Sequence, residues 1–208
     1  MKKSLFLTPL AGILMASCTA EGNNAGSSAA TGEDAKNAVI ENIMTRTSIR
    51  KFKADKPIPK DTLETILKAG MAAPTAVNKQ PWAFVAVTDR ATLDSLQQAS
   101  PNYRLETATA AIVVCGDLSK ALEGDAQAYW VQDCSAATEN ILLAAHGLGI
   151  GAVWCGAYPI ADRVKDVSKV LGLPETIVPL DVICLGYPDE DPMPKDKWEP
   201  GNVHWDKW

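Results

Sequence analysis

The chain is poor in the residues that build many kinds of site. Its 208 residues include two histidines, His146 and His204, and no HExxH motif or cysteine pair at CxxC spacing. No metal centre is therefore expected. Neither GxGxxG nor GxxxxGK[ST] occurs, so no glycine-rich loop is available to cradle a dinucleotide or triphosphate through its backbone. There is no basic excess: the net charge is −5 and the isoelectric point about 5.1. That excludes a general nucleic-acid binder, whose footprint is basic. No apolar run reaches the length of a comfortable membrane span. What remains is an ordinary globular composition, 47% hydrophobic and 22% charged, at a length that suits one domain.

The N-terminus stands apart. Met1-Lys2-Lys3 is a short positive segment, and Leu5 to Ala16 is apolar with no charge before Glu21. This is the pattern of an export signal. It closes on Leu14-Met-Ala-Ser-Cys18, small residues directly before a cysteine, which resembles a bacterial lipobox with Cys18 as the lipidated residue. Residues 1–18 are read as a signal and residues 19–37, rich in Ala, Gly, Ser, Thr and Asn, as a flexible tether spanning roughly 25 Å. The expectation is an exported, membrane-anchored lipoprotein whose folded domain occupies residues 38–208. The other cysteines, Cys115, Cys134, Cys155 and Cys184, lie in apolar runs and suit buried small hydrophobes.

Periodicity predicts helices over 39–46, 61–73, 91–99, 129–148 and 160–171. D61-T-L-E64 has the form of a capping box. Runs at 82–88, 110–115, 151–155 and 177–186 are apolar and β-branched, as strands require. The expected fold is α+β, a three-layer α/β/α arrangement of a mixed sheet covered by helices. The polar tail from Pro188 carries Trp198, Trp205 and Trp208 without helical period, and is read as an extended C-terminal arm lying on another surface, such as a second subunit.

Four stretches can carry chemistry. In R46-T-S-I-R50 two guanidinium forks and the hydroxyls of Thr47 and Ser48 suit a phosphate, although a solvated helix end has the same composition. A73-P-T-A-V-N-K-Q-P-W82 sets Pro74, Thr75, Ala76 and Asn78 between a helix and a strand, where carboxamides can meet a heteroaromatic ring edge or simply cap their own loop. G149-I-G-A-V-W-C-G156 lets backbone approach a flat ligand, or merely turns a strand end. Lys195 and Lys197 alternate, so in an extended segment they point the same way.

In order and at these spacings, the four stretches resemble the nitroreductase family of flavoproteins over essentially all of residues 38–208. The resemblance implies FMN as cofactor. Arg46, Thr47, Ser48 and Arg50, with Lys195 and Lys197, would hold its phosphate and ribityl chain. Pro74, Thr75, Ala76 and Asn78 would line the ring. Val153, Trp154, Cys155 and Gly156 would lie on its other side, with the N–H of Cys155 or Gly156 facing flavin N5. It implies no catalytic side chain, because the flavin does the chemistry. It further implies an intertwined homodimer sharing two FMN, a reduced nicotinamide as donor and an electron-poor acceptor such as a nitroaromatic or quinone, turned over by a ping-pong mechanism. An exported enzyme would need another electron donor. Three readings stay open beside this: an electron-relay flavin lipoprotein, a reductive dehalogenase-type variant on the same cradle, and a cofactor-free binding protein using the tryptophan arm.

Overall fold

A computed structural model describes residues 32–208, with side chains from Asn37 onward. The export signal, Cys18 and most of the tether lie outside the described residues. Helix α1 runs from Gly32 to Thr45 and so begins inside the stretch read as tether. Helices α2 (Lys60–Met71), α3 (Arg90–Gln98), α4 (Tyr129–Gly147) and α5 (Ala161–Leu171) alternate with strands β1 (Trp82–Val87), β2 (Ala110–Asp117), β3 (Gly151–Gly156) and β4 (Ile177–Gly186). Each matches a sequence-predicted element to within a few residues. The capping box does not form: Pro59 caps α2 without a side-chain bond, and Asp61 sits inside the first turn, where its charge favours the helix dipole.

The strand order is β1-β2-β4-β3, and every neighbouring pair is antiparallel. The mixed sheet expected from strand–helix alternation is corrected on this point. β2 and β3 do run in the same direction, joined across the sheet by α4, but β4 inserts between them in the opposite sense. Likewise β1, α3 and the return segment 99–109 bring the chain back to the end of the sheet it left, so Val87 pairs with Ala111.

Alternation along β2 builds the two apolar layers. Ala110, Ile112 and Val114 pack with Ile66, Cys134, Ile141 and Ala145 under α2 and α4. Ala111, Val113 and Cys115 pack with Leu93, Leu96 and Val167 under α3 and α5. Tyr103 and Leu105 belong to this second layer and are wholly buried, which anchors the otherwise exposed segment 101–107 to the core. Beyond Pro188 the chain is an extended arm with one 3-10 turn, Pro200–Asn202, and it leaves Trp198, Trp205 and Trp208 exposed.

Candidate active site

The stretch after α1 is held against one end of the sheet by its apolar residues. Ile49 donates its N–H to Ala152 O of β3 at 3.0 Å, and the absent side chain of Gly151 leaves room for it: a Cβ there would meet Ile49 Cγ2 at 2.7 Å. Phe52 is buried over Gly186, where a Cβ would come within 2.7 Å of Phe52 Cβ. Lys53 N–H bonds Tyr187 O at 2.9 Å and Asp189 N–H bonds Lys51 O at 3.0 Å, so the root of the arm runs antiparallel to this stretch. Glu190 accepts both the Arg50 and the Lys51 N–H.

That pairing brings the arm's lysines back over the stretch. Arg46, Thr47, Ser48, Arg50, Lys195 and Lys197 line one pocket of about 140 Å³. These are the six residues the sequence nominates for a phosphate. Arg46 meets Glu139 of α4 at 3.6 Å, while Arg50, Lys195 and Lys197 have no ion-pair partner among the described residues. Four cations and two hydroxyls converge with one carboxylate to offset them, a donor set that fits a phosphate dianion. His146 stands behind Arg46, and burial together with that guanidinium holds its pKa below the usual imidazole value. Thr45 Oγ1 gives its proton to Glu41 O at 2.7 Å, so the 3.0 Å contact to His146 Nε2 is a bond donated by the ring.

β3 is an edge strand beside this pocket. Ala152 directs its carbonyl outward to Ile49, so by the two-residue period Trp154 and Gly156 also turn their backbone outward, while Val153 and Cys155 turn theirs to β4. Of the two backbone donors the sequence leaves open, Gly156 has the exposed edge. Its carbonyl accepts from Arg163 Nη1 at 3.1 Å, which fixes the strand end. The Trp154 ring is partly exposed on the α4 face, whereas Cys155 is a core residue. The Arg50 guanidinium is near enough to act on the Cys155 thiol, which ties the cradle to this strand.

Pro74, Thr75, Ala76 and Asn78 lie elsewhere. Their loop is anchored by Asp133, near the start of α4, which accepts the Ala76 N–H at 2.8 Å. Glu139, the partner of Arg46, is six residues further along α4, about 9 Å down its axis and about a third of a turn around it. Within one chain this loop and the cationic pocket are therefore on different flanks of α4, and none of Pro74, Thr75, Ala76 and Asn78 lines that pocket. The loop itself is tightly constrained. Val77, Asn78 and Gln80 have φ of 42°, 57° and 52°, in the left-handed region that non-glycine residues seldom adopt. Thr75 Oγ1 accepts the Gln80 N–H at 3.0 Å, and Asn78 Oδ1 accepts from Gln80 Nε2 at 3.1 Å.

Sequence reasoning missed Asp133, Glu190 and Arg163. Asp133 had a signal: it falls on the apolar stripe it shares with Ala137 and Ile141, where an acid must have a partner. Glu190 and Arg163 had none, since each is defined by what the fold brings opposite it. Among the described residues no group of three or more possible metal ligands occurs.

Comparison with known proteins places this architecture. The model of the Nitroreductase family matches residues 43–102 and 97–187. A protein of Methanothermobacter thermautotrophicus, provisionally named NADH dehydrogenase/NAD(P)H nitroreductase, is 44% identical over 179 residues, covering 85% of this chain and 91% of its own. A crystal structure of the same provisional name from Bacteroides thetaiotaomicron superposes with a TM-score of 0.78 at 44% identity, covering 83% of this chain and 99% of that one. The NADPH:FMN oxidoreductase of Vibrio harveyi, solved in complex with NAD+, superposes with a TM-score of 0.73 at 31% identity, over 82% of this chain and 77% of that one. By sequence and by fold, this chain belongs to the nitroreductase family.

Proposed function

We propose that the protein is an FMN-dependent oxidoreductase that delivers electrons to an electron-poor acceptor such as a nitroaromatic or a quinone, taking them from a reduced nicotinamide or, where the domain is exported, from another donor. The observation that carries the reading is the six-residue cationic pocket, with three of its four cations unpaired. The relatives named NAD(P)H nitroreductase and NADPH:FMN oxidoreductase support the donor and the cofactor.

Bound FMN would supply the two-electron chemistry between donor and acceptor. The chain's part is to bind and orient. Arg46, Arg50, Lys195 and Lys197 neutralise the phosphate, and Thr47 and Ser48 add hydroxyl donors. The outward N–H of Gly156 would offer a fixed donor to the ring edge, and the partly exposed Trp154 would lie beside it. No side chain is required as nucleophile or proton donor.

The loop Pro74–Asn78 reaches a flavin in this scheme only from a second copy. A homodimer is accordingly part of the proposal. It is supported by the exposed apolar residues Val39, Ile40, Ile43 and Met44 of α1 and by the exposed tryptophans of the arm. The proposed cellular location, a lipid-anchored exported domain, rests on the N-terminal sequence alone. Mass spectrometry of the membrane fraction checks it: an intact Met1 in a soluble cytoplasmic protein ends that part of the reading.

The deciding experiment is the visible spectrum of purified protein before and after anaerobic addition of NADH or NADPH. A flavin spectrum that bleaches supports the whole reading. A flavin that resists both nicotinamides keeps the cofactor and removes the donor. A colourless protein that FMN cannot reconstitute overturns the proposal.

A further inference from the structure

The proposed function uses the backbone of β3 but neither of two thiols that meet behind it. Cys155 of β3 and Cys184 of β4 approach at Sγ–Sγ 3.9 Å, both in the layer under α3 and α5. They are diagonal neighbours: Cys155 stands opposite Val182, and Cys184 opposite Val153. Their surroundings are unequal. Cys184 is wholly buried and accepts the Arg104 N–H at 3.4 Å. Cys155 is also buried but keeps 8% of its surface exposed, and its thiol donates to Asn102 O at 3.6 Å. The bond from the Cys184 thiol lowers the pKa of Cys155, with burial opposing it and the guanidinium groups of Arg104, Arg50 and Arg163 assisting, while the same bond and burial raise that of Cys184. Tyr103 is in the same layer, completely buried, and its hydroxyl has no partner. It is near enough for ionised sulfur to act on it.

We propose that Cys155 and Cys184 form a reactive dithiol, a site for thiol–disulfide exchange with small disulfides. Cys155 thiolate attacks one sulfur of the disulfide and expels the other half as a thiolate. Cys184 then loses its proton and attacks the Cys155 sulfur of the mixed disulfide, which releases the second half. The chain loses two electrons and two protons, and the small disulfide becomes two thiols. Closing the bond brings the sulfurs to about 2.05 Å. β3 pairs with a strand on one side only and its outer edge is bonded to Ile49 and Arg163, so the closure falls on the two side chains and the stretch between those bonds. Cys115 and Cys134 do not enter the exchange. Cys134 packs on the opposite face of the sheet, and burial pushes the Cys115 thiol up to about 12.

The test is reaction of the full native chain with dithiodipyridine, followed by intact-mass and peptide mapping. The expected result is release of two thiopyridones from the pair, loss of two hydrogens, and a peptide cross-linked between Cys155 and Cys184. Cys184→Ser should keep one pyridyl adduct on Cys155. Cys155→Ser should release thiopyridone from Cys184 at least tenfold more slowly, and Cys115→Ser should behave as wild type. A stable adduct on wild-type Cys155, a cross-link to another cysteine, or wild-type reaction no faster than that of Cys155→Ser overturns the proposal. None of these readouts depends on bound flavin, so its failure leaves the proposed function untouched.

Discussion

At the scale of single residues, the cradle is made by charge and the core beneath it by space. Arg50 is unpaired by any carboxylate side chain, so Arg50→Glu does not merely remove a donor but sets two negative groups face to face. The expected outcome is a rise of about 100-fold or more in the FMN dissociation constant, the effect of about 3 kcal/mol, read by fluorescence titration of the apoprotein. Gly186 makes the complementary point. Adding a Cβ drives Phe52 off the sheet and takes the cradle with it, so Gly186→Ala should cost about 1–3 kcal/mol of stability in urea and weaken FMN binding together. Asp181 is a third case. It is completely buried, with one carboxyl oxygen 2.8 Å from Thr138 Oγ1 and the other without a partner. Thr138 Oγ1 donates to that oxygen, with Cys134 O as its other acceptor at 3.0 Å, and the bond only partly offsets the cost of burying the charge. Burial accordingly raises the Asp181 pKa well above the carboxylate range. The native state then holds a proton that the unfolded chain releases. This contribution to stability is full below the unfolded carboxylate value of about 4 and declines as pH rises toward the raised native value. Asp181→Asn, which keeps an acceptor for Thr138, should flatten that decline in urea midpoints measured from pH 4 to 8.

At the scale of elements, the layout was largely legible because periodicity carried it. The apolar run of β2 and the broad stripe of α4 announce a central strand and a central helix, and both stand where the spacing put them. The two basic stretches were legible by their charge, and the β-pairing of 51–53 with 187–189 delivers one to the other. Strand direction was not legible. A helix between two strands suggests a parallel crossover, and only the return path of 99–109 or the insertion of β4 reveals otherwise. The ring loop was legible as a motif but not as a conformation. Three left-handed residues in five, one of them β-branched, persist because Asp133 and Thr75 hold the backbone. Asp133→Ala leaves the Ala76 N–H without its acceptor and should cost about 1–3 kcal/mol of stability. It should also weaken FMN binding although Asp133 does not line the cradle pocket.

At the scale of the whole molecule, the described chain leaves an unusual amount of apolar surface uncovered: four residues of α1, Met71, Val77, and three tryptophans of the arm. A monomer with that surface would associate, and the arm is placed to take part. Truncation after Pro188 removes Lys195, Lys197 and all three tryptophans while keeping every strand. The truncated chain should lose FMN and sediment as a smaller species than the full domain, with its far-ultraviolet dichroism nearly unchanged. A truncated chain that keeps its flavin would show the arm to be dispensable. The division of the site across α4 reaches further. In the proposed dimer, each cofactor is held by the cradle of one chain and the loop of the other, so a defect in either can be complemented. Mixing Arg50→Glu chains with chains whose loop is disabled at Asn78 should regenerate one sound site in each hybrid pair, and about a quarter of the wild-type flavin sites at random assortment. Such a protein measures its own concentration, because dilution that separates the chains also discharges the cofactor.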